Sequence, residues 1–138
     1  MSTTTAAPNQ SVLPHVILDA DGTLTTDGVI VTDGNMTTEA MRAALGPTTF
    51  HPELLVILDG WQMWGDGDAA TWSSLPYNRV GSALRCMATG ERRELFGRIV
   101  FVAVDEDGRF VAYSGEQLRE LGQLVRSLDQ VCEALHTH

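Results

Sequence analysis

The chain has 138 residues, of which 43% are apolar and 20% are charged, and its formal net charge at pH 7 is −9. A chain of this size can bury one hydrophobic core but is too short for two, so we expect residues 12–138 to form one domain. Residues 1–11 are small and polar and are predicted to form a disordered arm. They lack the basic and apolar regions of a signal peptide, and no apolar run is long enough to span a bilayer.

The charged residues are of an unusual kind and are unevenly placed. All nine basic residues are arginine, which excludes mechanisms that need a lysine Schiff base or a phosphate-loop lysine. The net negative charge opposes binding to nucleic acid or anionic lipid over most of the surface. Residues 78–98 are the exception, with five arginines and two acids, and we name this segment the arginine island. The two cysteines, Cys86 and Cys132, form neither a disulfide framework nor a four-cysteine zinc site, which favours a reducing cytoplasm.

The first part of the chain has the pattern of strands and one short helix. Residues 15–20 and 23–32 are rich in β-forming side chains. The Asp-Gly pair at 27–28 predicts a hairpin-like turn that divides the second segment into short strands. A helix is predicted over residues 37–45, with Thr37 as its N-cap.

The middle of the chain combines a strand, a turn-rich segment and a helix. Residues 53–59 are an apolar strand that ends in an Asp-Gly turn. The tryptophan-containing residues 61–64 then lead into a predicted turn over 65–68, whose sequence is Gly-Asp-Gly-Asp. Residues 79–88 carry apolar side chains at helical spacing, and residues 98–104 are the strongest strand pattern in the chain.

The last part is predicted to be a hairpin followed by one long helix. A DEDG turn at 105–108 leads into 109–113, and Ser114 with Gln117 forms a capping box. The helix carries an apolar stripe made of Leu118, Leu121, Val125, Leu128, Cys132 and Leu135. We expect this stripe to pack on the sheet, with a homodimer seam as the alternative. The patterns together predict an α+β fold with a mainly antiparallel sheet of about five or six strands and three helices, the C-terminal one long and amphipathic.

One short motif points to catalysis. Residues 16–24, VILDADGTL, resemble the nucleophile motif of the haloacid dehalogenase phosphohydrolases. The resemblance implies that Asp19 attacks phosphorus, that Asp21 is the general acid and base, and that both hold Mg²⁺, which prefers carboxylate oxygens. That family also uses a basic residue, usually lysine, and a late acidic pair on a parallel sheet. This chain has no lysine and no alternating strand and helix pattern of the kind that builds such a sheet.

The arginine island and its neighbours predict a site of another kind. Arginine binds phosphate or carboxylate through paired hydrogen bonds, and tyrosine stacks on a base. We therefore predict a site for a nucleotide-like anion or an acidic protein partner, formed by Tyr77, Asn78, Arg79, Arg85, Arg92 and Arg93. The alternative is that these arginines pair with carboxylates of the same chain, which has 18 acids against nine bases.

Three phrases of the sequence carry a resemblance to a known family: LPYNR at 75–79, the glycine-led apolar strand at 97–102, and SGEQL at 114–118. Through these phrases, residues 15–126 resemble a family of small uncharacterised domains found in bacteriophages, mobile elements and some bacteria. The family has no established activity to carry over. Its phage setting implies a small host-directed or defence-countering protein in the cytoplasm of the host.

The function predicted from these observations is a non-catalytic binding module that uses no cofactor. Its ligand is either a nucleotide-like anion or an acidic protein partner, held by the arginine island. The first alternative is a Mg²⁺-dependent phosphohydrolase that uses Asp19 and Asp21. The second alternative is an acidic DNA mimic, which the net charge of −9 suggests.

Overall fold

The structure is a computed structural model that describes residues 10–32, 35–36, 38–46, 51–67 and 75–136. Three helices and seven strands lie within these residues. In chain order they are β1 (Gln10–Leu18), β2 (Leu24–Thr32), β3 (Asn35–Met36), α1 (Thr38–Leu45), β4 (Pro52–Leu58), β5 (Trp61–Asp66), α2 (Arg79–Thr89), β6 (Ile99–Val104), β7 (Phe110–Val111) and α3 (Gly115–His136). None of the described helices is long and apolar enough to cross a membrane.

The strands form one sheet in the order β3-β2-β1-β6-β5-β4, and the short β7 pairs with the end of β6. Every pair of named strands within the described residues is antiparallel. The predicted α+β fold with a mainly antiparallel sheet, three helices and a long last helix is therefore confirmed. Strand β6 is apolar throughout (IVFVAV) because it lies at the centre of the sheet with a layer on each face.

Side chains of β6 alternate between two hydrophobic cores, as the pleat of a strand requires. Ile99, Phe101 and Ala103 face the side that is covered by α2 and α3, where Leu84, Leu121 and Val125 are among the buried residues. Val100 and Val102 face the opposite side, where α1 packs through Met41 and Leu45. The helices thus cover both faces of the sheet, with the larger core under α2 and α3.

The start of α3 is held by the predicted capping box. The Ser114 backbone N–H donates to Gln117 Oε1 at 2.9 Å, and the Gln117 backbone N–H donates to Ser114 Oγ at 3.0 Å. Leu121 and Val125 of the apolar stripe are buried in the chain's own core, with Leu118 and Leu128 packed against it. These four residues of the stripe therefore pack in the chain's own core, and the homodimer alternative stays a prediction.

Two local predictions were wrong. Asp27 and Gly28 do not turn, because β2 continues through them and pairs them with His15 and Pro14 of β1. The nine-residue pairing with β1 outweighs the local turn preference of an Asp-Gly pair. The predicted turn over 65–68 starts later than expected, because Gly65 and Asp66 end strand β5, which lies between β4 and β6, and the turn begins at Gly67.

The boundary of the N-terminal arm also moves. Strand β1 begins at Gln10, so the last two residues of the predicted arm belong to the sheet. Residues 1–9, the predicted cap Thr37 and the end of the predicted turn at Asp68 lie outside the described residues. The Asp59-Gly60 turn is present as predicted, and Gly60 adopts a φ of 76°, which glycine accommodates without strain.

Candidate functional site

The candidate site begins with two short extended segments, one before α2 and one before β6. Tyr77 and Phe96 form an isolated antiparallel bridge, and the Asn78 N–H donates to the Leu95 carbonyl at 2.8 Å. Asn78 and Leu95 are buried, so the side chains of Tyr77 and Phe96 lie on the other face of this pair. Their rings contact each other at a centroid distance of 5.7 Å and leave Tyr77 46% exposed.

Asn78 fixes the position of α2 from within the core. Its Oδ1 accepts from the Gly81 N–H at 2.9 Å and caps the helix, while its Nδ2 donates to the carbonyls of Leu18 at 3.2 Å and Gly97 at 2.9 Å. The side chain is fully buried. It therefore has no exposed surface to offer a ligand, and its contribution to the predicted site is to hold the elements that carry the other residues.

An open groove of about 630 Å³ lies beside this pair of segments, and we name it the α2–α3 groove. This volume is within the range of sites for small molecules. Four of the six predicted site residues line it: Tyr77, Arg79, Arg92 and Arg93. The prediction did not include the other charged or thiol-bearing residues of its lining, which are Cys86, Glu94 and Cys132.

Arg79 is neutralised by the last helix. Its Nη2 lies 3.1 Å from Asp129 Oδ1 and 3.6 Å from Glu133 Oε1, two carboxylates one turn apart on α3. The Arg79 side chain is 28% exposed. This ion pair ties the start of α2 to α3, and it leaves Arg79 as a wall of the groove whose charge is already balanced.

Arg93 is balanced in the same way by the edge of the sheet. Its Nη1 and Nη2 donate to Glu53 Oε2 at 2.8 Å and Oε1 at 3.1 Å, a two-pronged pair between β4 and the loop before β6. These hydrogen bonds hold the pKa of the Glu53 carboxyl below its ordinary value of 4.5, against the opposing effect of partial burial. They raise the pKa of the Arg93 guanidinium.

The ion pair between Glu53 and Arg93 makes the free energy of unfolding depend on pH. Because the pKa of Glu53 is lowered on folding, its contribution to stability is present above the ordinary pKa and is lost as the pH falls through the folded value. We expect Glu53→Gln to weaken the acid sensitivity of the free energy of unfolding below about pH 4.5. Urea unfolding at a series of pH values measures this. Glu120→Gln, an exposed change on α3, should leave the acid sensitivity as in the wild type, and equal curves for all three proteins would contradict the expectation.

Arg85 and Arg92 differ from these two. Arg85 is only 13% exposed, lies 3.9 Å from Glu91, and is not part of the groove lining. Arg92 lines the groove, is exposed, and makes no ion pair or side-chain hydrogen bond with the residues that the structure describes. Internal pairing therefore accounts for Arg79 and Arg93. Arg85 has only the long contact with Glu91, and its buried Nε has no hydrogen-bond partner among the described residues. Arg92 is the groove arginine whose charge is not balanced within the described part of the chain.

Asp19 and Asp21 lie in the turn that joins the antiparallel strands β1 and β2. Asp21 Oδ1 accepts from the Thr23 backbone N–H at 2.9 Å, and this hydrogen bond lowers the pKa of the Asp21 carboxyl. Asp19 Oδ1 accepts from Arg98 Nε at 3.4 Å. Across the described ranges no three His, Cys, Asp or Glu side chains are grouped so as to hold a metal ion. The Asp21 carboxylate thus stabilises the turn and the Asp19 carboxylate pairs with Arg98, and the described residues do not assemble a Mg²⁺ site around them.

Glu94 is the functional candidate that sequence reasoning overlooked. Leu95 is buried, whereas its neighbour Glu94 is exposed and lines the groove together with Arg92 and Arg93. The available signal was the apolar Leu95, which follows the charged Arg93 and Glu94 and precedes the aromatic Phe96. The two cysteines had no such signal, because their meeting in one groove depends on how α2 and α3 pack.

Comparison with known proteins gives no match. No family model, no curated protein and no solved structure matches this chain. The resemblance to the small phage and bacterial domains therefore stays a prediction. The site has to be interpreted from its own residues.

Proposed function

We propose that the protein is a non-catalytic binding module and that the α2–α3 groove holds a small nucleotide-like anion. The observation that carries this proposal is the position of Arg92, exposed and without a carboxylate partner among the described residues, in a groove that also exposes the ring of Tyr77. A guanidinium fork suits a phosphate, and an exposed aromatic face suits a base.

The charge distribution favours a small ligand over a polymer. The net charge of −9 repels a long nucleic acid over most of the surface. A mononucleotide contacts only the groove, whose lining contains three arginines and one glutamate. Two of these arginines are neutralised by Glu53 and Asp129, so Arg92 supplies the attraction for the phosphate. The phage setting that the family resemblance implies would give such a module a host-directed role in the host cytoplasm.

The test is to remove the unbalanced charge and measure nucleotide binding. We expect Arg92→Ala to raise the dissociation constant of mononucleotides by about tenfold or more, the loss of one hydrogen-bonded charge contact. Isothermal titration calorimetry with a panel of nucleoside monophosphates measures this change. The matched control is Arg119→Ala, which removes an exposed arginine of α3 outside the groove lining and should leave the affinity unchanged.

Native mass spectrometry of the freshly purified protein is an independent test of nucleotide binding. A retained mass of nucleotide size supports the proposal, and the same spectrum reports the oligomeric state. Equal affinities for wild type and Arg92→Ala, or an absence of mononucleotide binding, would contradict it. Salt-sensitive binding of an acidic peptide without nucleotide binding would direct the function to a protein partner instead.

A further inference from the structure

We infer that the nucleotide of the α2–α3 groove carries guanine, and that Glu94 recognises the base. The inference rests on the proposed function and adds the identity of the base. It starts from the composition of the groove, in which one exposed aromatic ring, one unbalanced arginine and one carboxylate, Glu94, occur together.

Glu94 is placed in the groove by the segment that leads to the Tyr77–Phe96 bridge. It lies two residues before Phe96 and lines the groove that Tyr77 also lines. Leu95 between them is buried, whereas Glu94 is exposed. Glu94 forms no ion pair with any described residue, although Arg92 and Arg93 are its neighbours in the chain. Its two oxygens are therefore available as acceptors in the groove that exposes the Tyr77 ring.

The chemistry of an ionised carboxylate selects among the bases. Such a group only accepts hydrogen bonds, and it accepts best from two adjacent donors. Guanine presents a ring N–H and an exocyclic amino group side by side. Adenine and cytosine each present a donor beside an acceptor, and uracil presents one donor between two acceptors. Guanine is thus the common base that satisfies both oxygens of Glu94 without bringing an acceptor against them.

The two ends of the ligand then have separate partners. Tyr77 offers its exposed ring to the base plane, Glu94 accepts from the base edge, and Arg92 donates to the phosphate. The groove volume of about 630 Å³ accommodates a ligand of this size. A site that is built to pair with donors of a ligand strongly rejects an analogue that lacks them.

The experiment compares three monophosphates on three proteins. Calorimetry measures the dissociation constants of guanosine, inosine and adenosine monophosphate for the wild type, for Glu94→Gln and for Glu120→Gln. We expect the wild type to bind the guanosine nucleotide about tenfold or more tightly than the adenosine one, with the inosine nucleotide between them because it keeps the ring N–H and lacks the amino group. Circular dichroism checks that each variant is folded.

Glu94→Gln separates recognition of the base from electrostatic effects. We expect Glu94→Gln to raise the dissociation constant of guanosine monophosphate by about tenfold. The dissociation constant of adenosine monophosphate should stay unchanged or fall slightly, because the variant also removes a negative charge from the groove. Glu120→Gln removes the same charge from an exposed position of α3 outside the groove lining, so it should preserve the preference.

The outcomes distinguish this inference from the proposed function. Equal affinity for guanosine and adenosine nucleotides, or an equal preference in wild type and Glu94→Gln, would overturn the role of Glu94. Arg92-dependent binding in that case keeps the proposed function intact. Absence of binding by all three nucleotides would overturn both.

Discussion

Replacing Asn78 by alanine is expected to lower the free energy of unfolding by about 3 kcal/mol. The loss of an N-cap costs roughly 1 kcal/mol. Each buried carbonyl that loses its donor adds roughly 1 kcal/mol or more, and Asn78 Nδ2 supplies two, those of Leu18 and Gly97. The effect is large because the side chain is fully buried, so that water cannot replace the lost hydrogen bonds.

Equilibrium unfolding in urea measures this prediction, and the chain offers a matched control. Ser114→Ala removes the cap of α3, which is exposed to solvent, and should cost only about 1 kcal/mol. Asn78→Asp keeps an oxygen that caps α2 but removes the donor to the two carbonyls, and it should remain strongly destabilising. If Asn78→Ala costs no more than Ser114→Ala, the buried hydrogen bonds do not hold the site together as proposed.

Gly81→Ala and Gly122→Ala are expected to change stability in opposite directions, although both replace a helical glycine. A β-carbon at Gly81 would collide with Cδ1 of the buried Ile99 and lie 3.0 Å from Asn78 Oδ1. Overpacking of this kind costs about 1–3 kcal/mol, which exceeds the gain in helix propensity of at most about 1 kcal/mol. Apart from the backbone of its own helix and its chain neighbours, no atom of the described residues lies within 4 Å of the β-carbon position at Gly122, so that variant should gain about 0.5–1 kcal/mol.

Chemical unfolding of the two variants side by side tests the close approach of α2 to the sheet. If both variants were stabilised, or both destabilised, α2 would not contact β6 as closely as the position of Gly81 requires. Retained nucleotide binding in Gly122→Ala, together with its raised stability, would show that the middle of α3 is separable from the groove. Gly81→Ala would displace α2 and with it Arg79.

The predictions that succeeded rest on interactions between residues close in the chain. The capping box of Ser114 and Gln117 spans three residues, and the helical spacing over 79–88 specifies α2 almost to its ends. The turn at Asp59 and Gly60 is as local. Such features are encoded by side chains that contact one another within one helical turn or one hairpin, so the sequence alone was sufficient for them.

The two wrong predictions have a common cause. Asp27-Gly28 and Gly65-Asp66 both have the local preference of a turn. Both pairs belong to strands because a neighbouring strand satisfies their backbone: β1 in the first case and β4 in the second. Strand preference depends on such cross-strand partners, which are distant in the chain.

The sequence by itself determined the α+β class, the three helices and the central strand β6, whereas the meeting of Tyr77, Arg79, Arg92 and Arg93 in one groove depends on how α2 packs beside the segment before β6. Only the tertiary structure decided which of those arginines keep their charge available. Arg79 and Arg93 are neutralised by Asp129 and Glu53, which are 50 and 40 positions away in the chain. The physical reason is that helix and strand patterns arise from local spacing, whereas ion pairing depends on which distant carboxylate the packed fold brings within hydrogen-bonding distance.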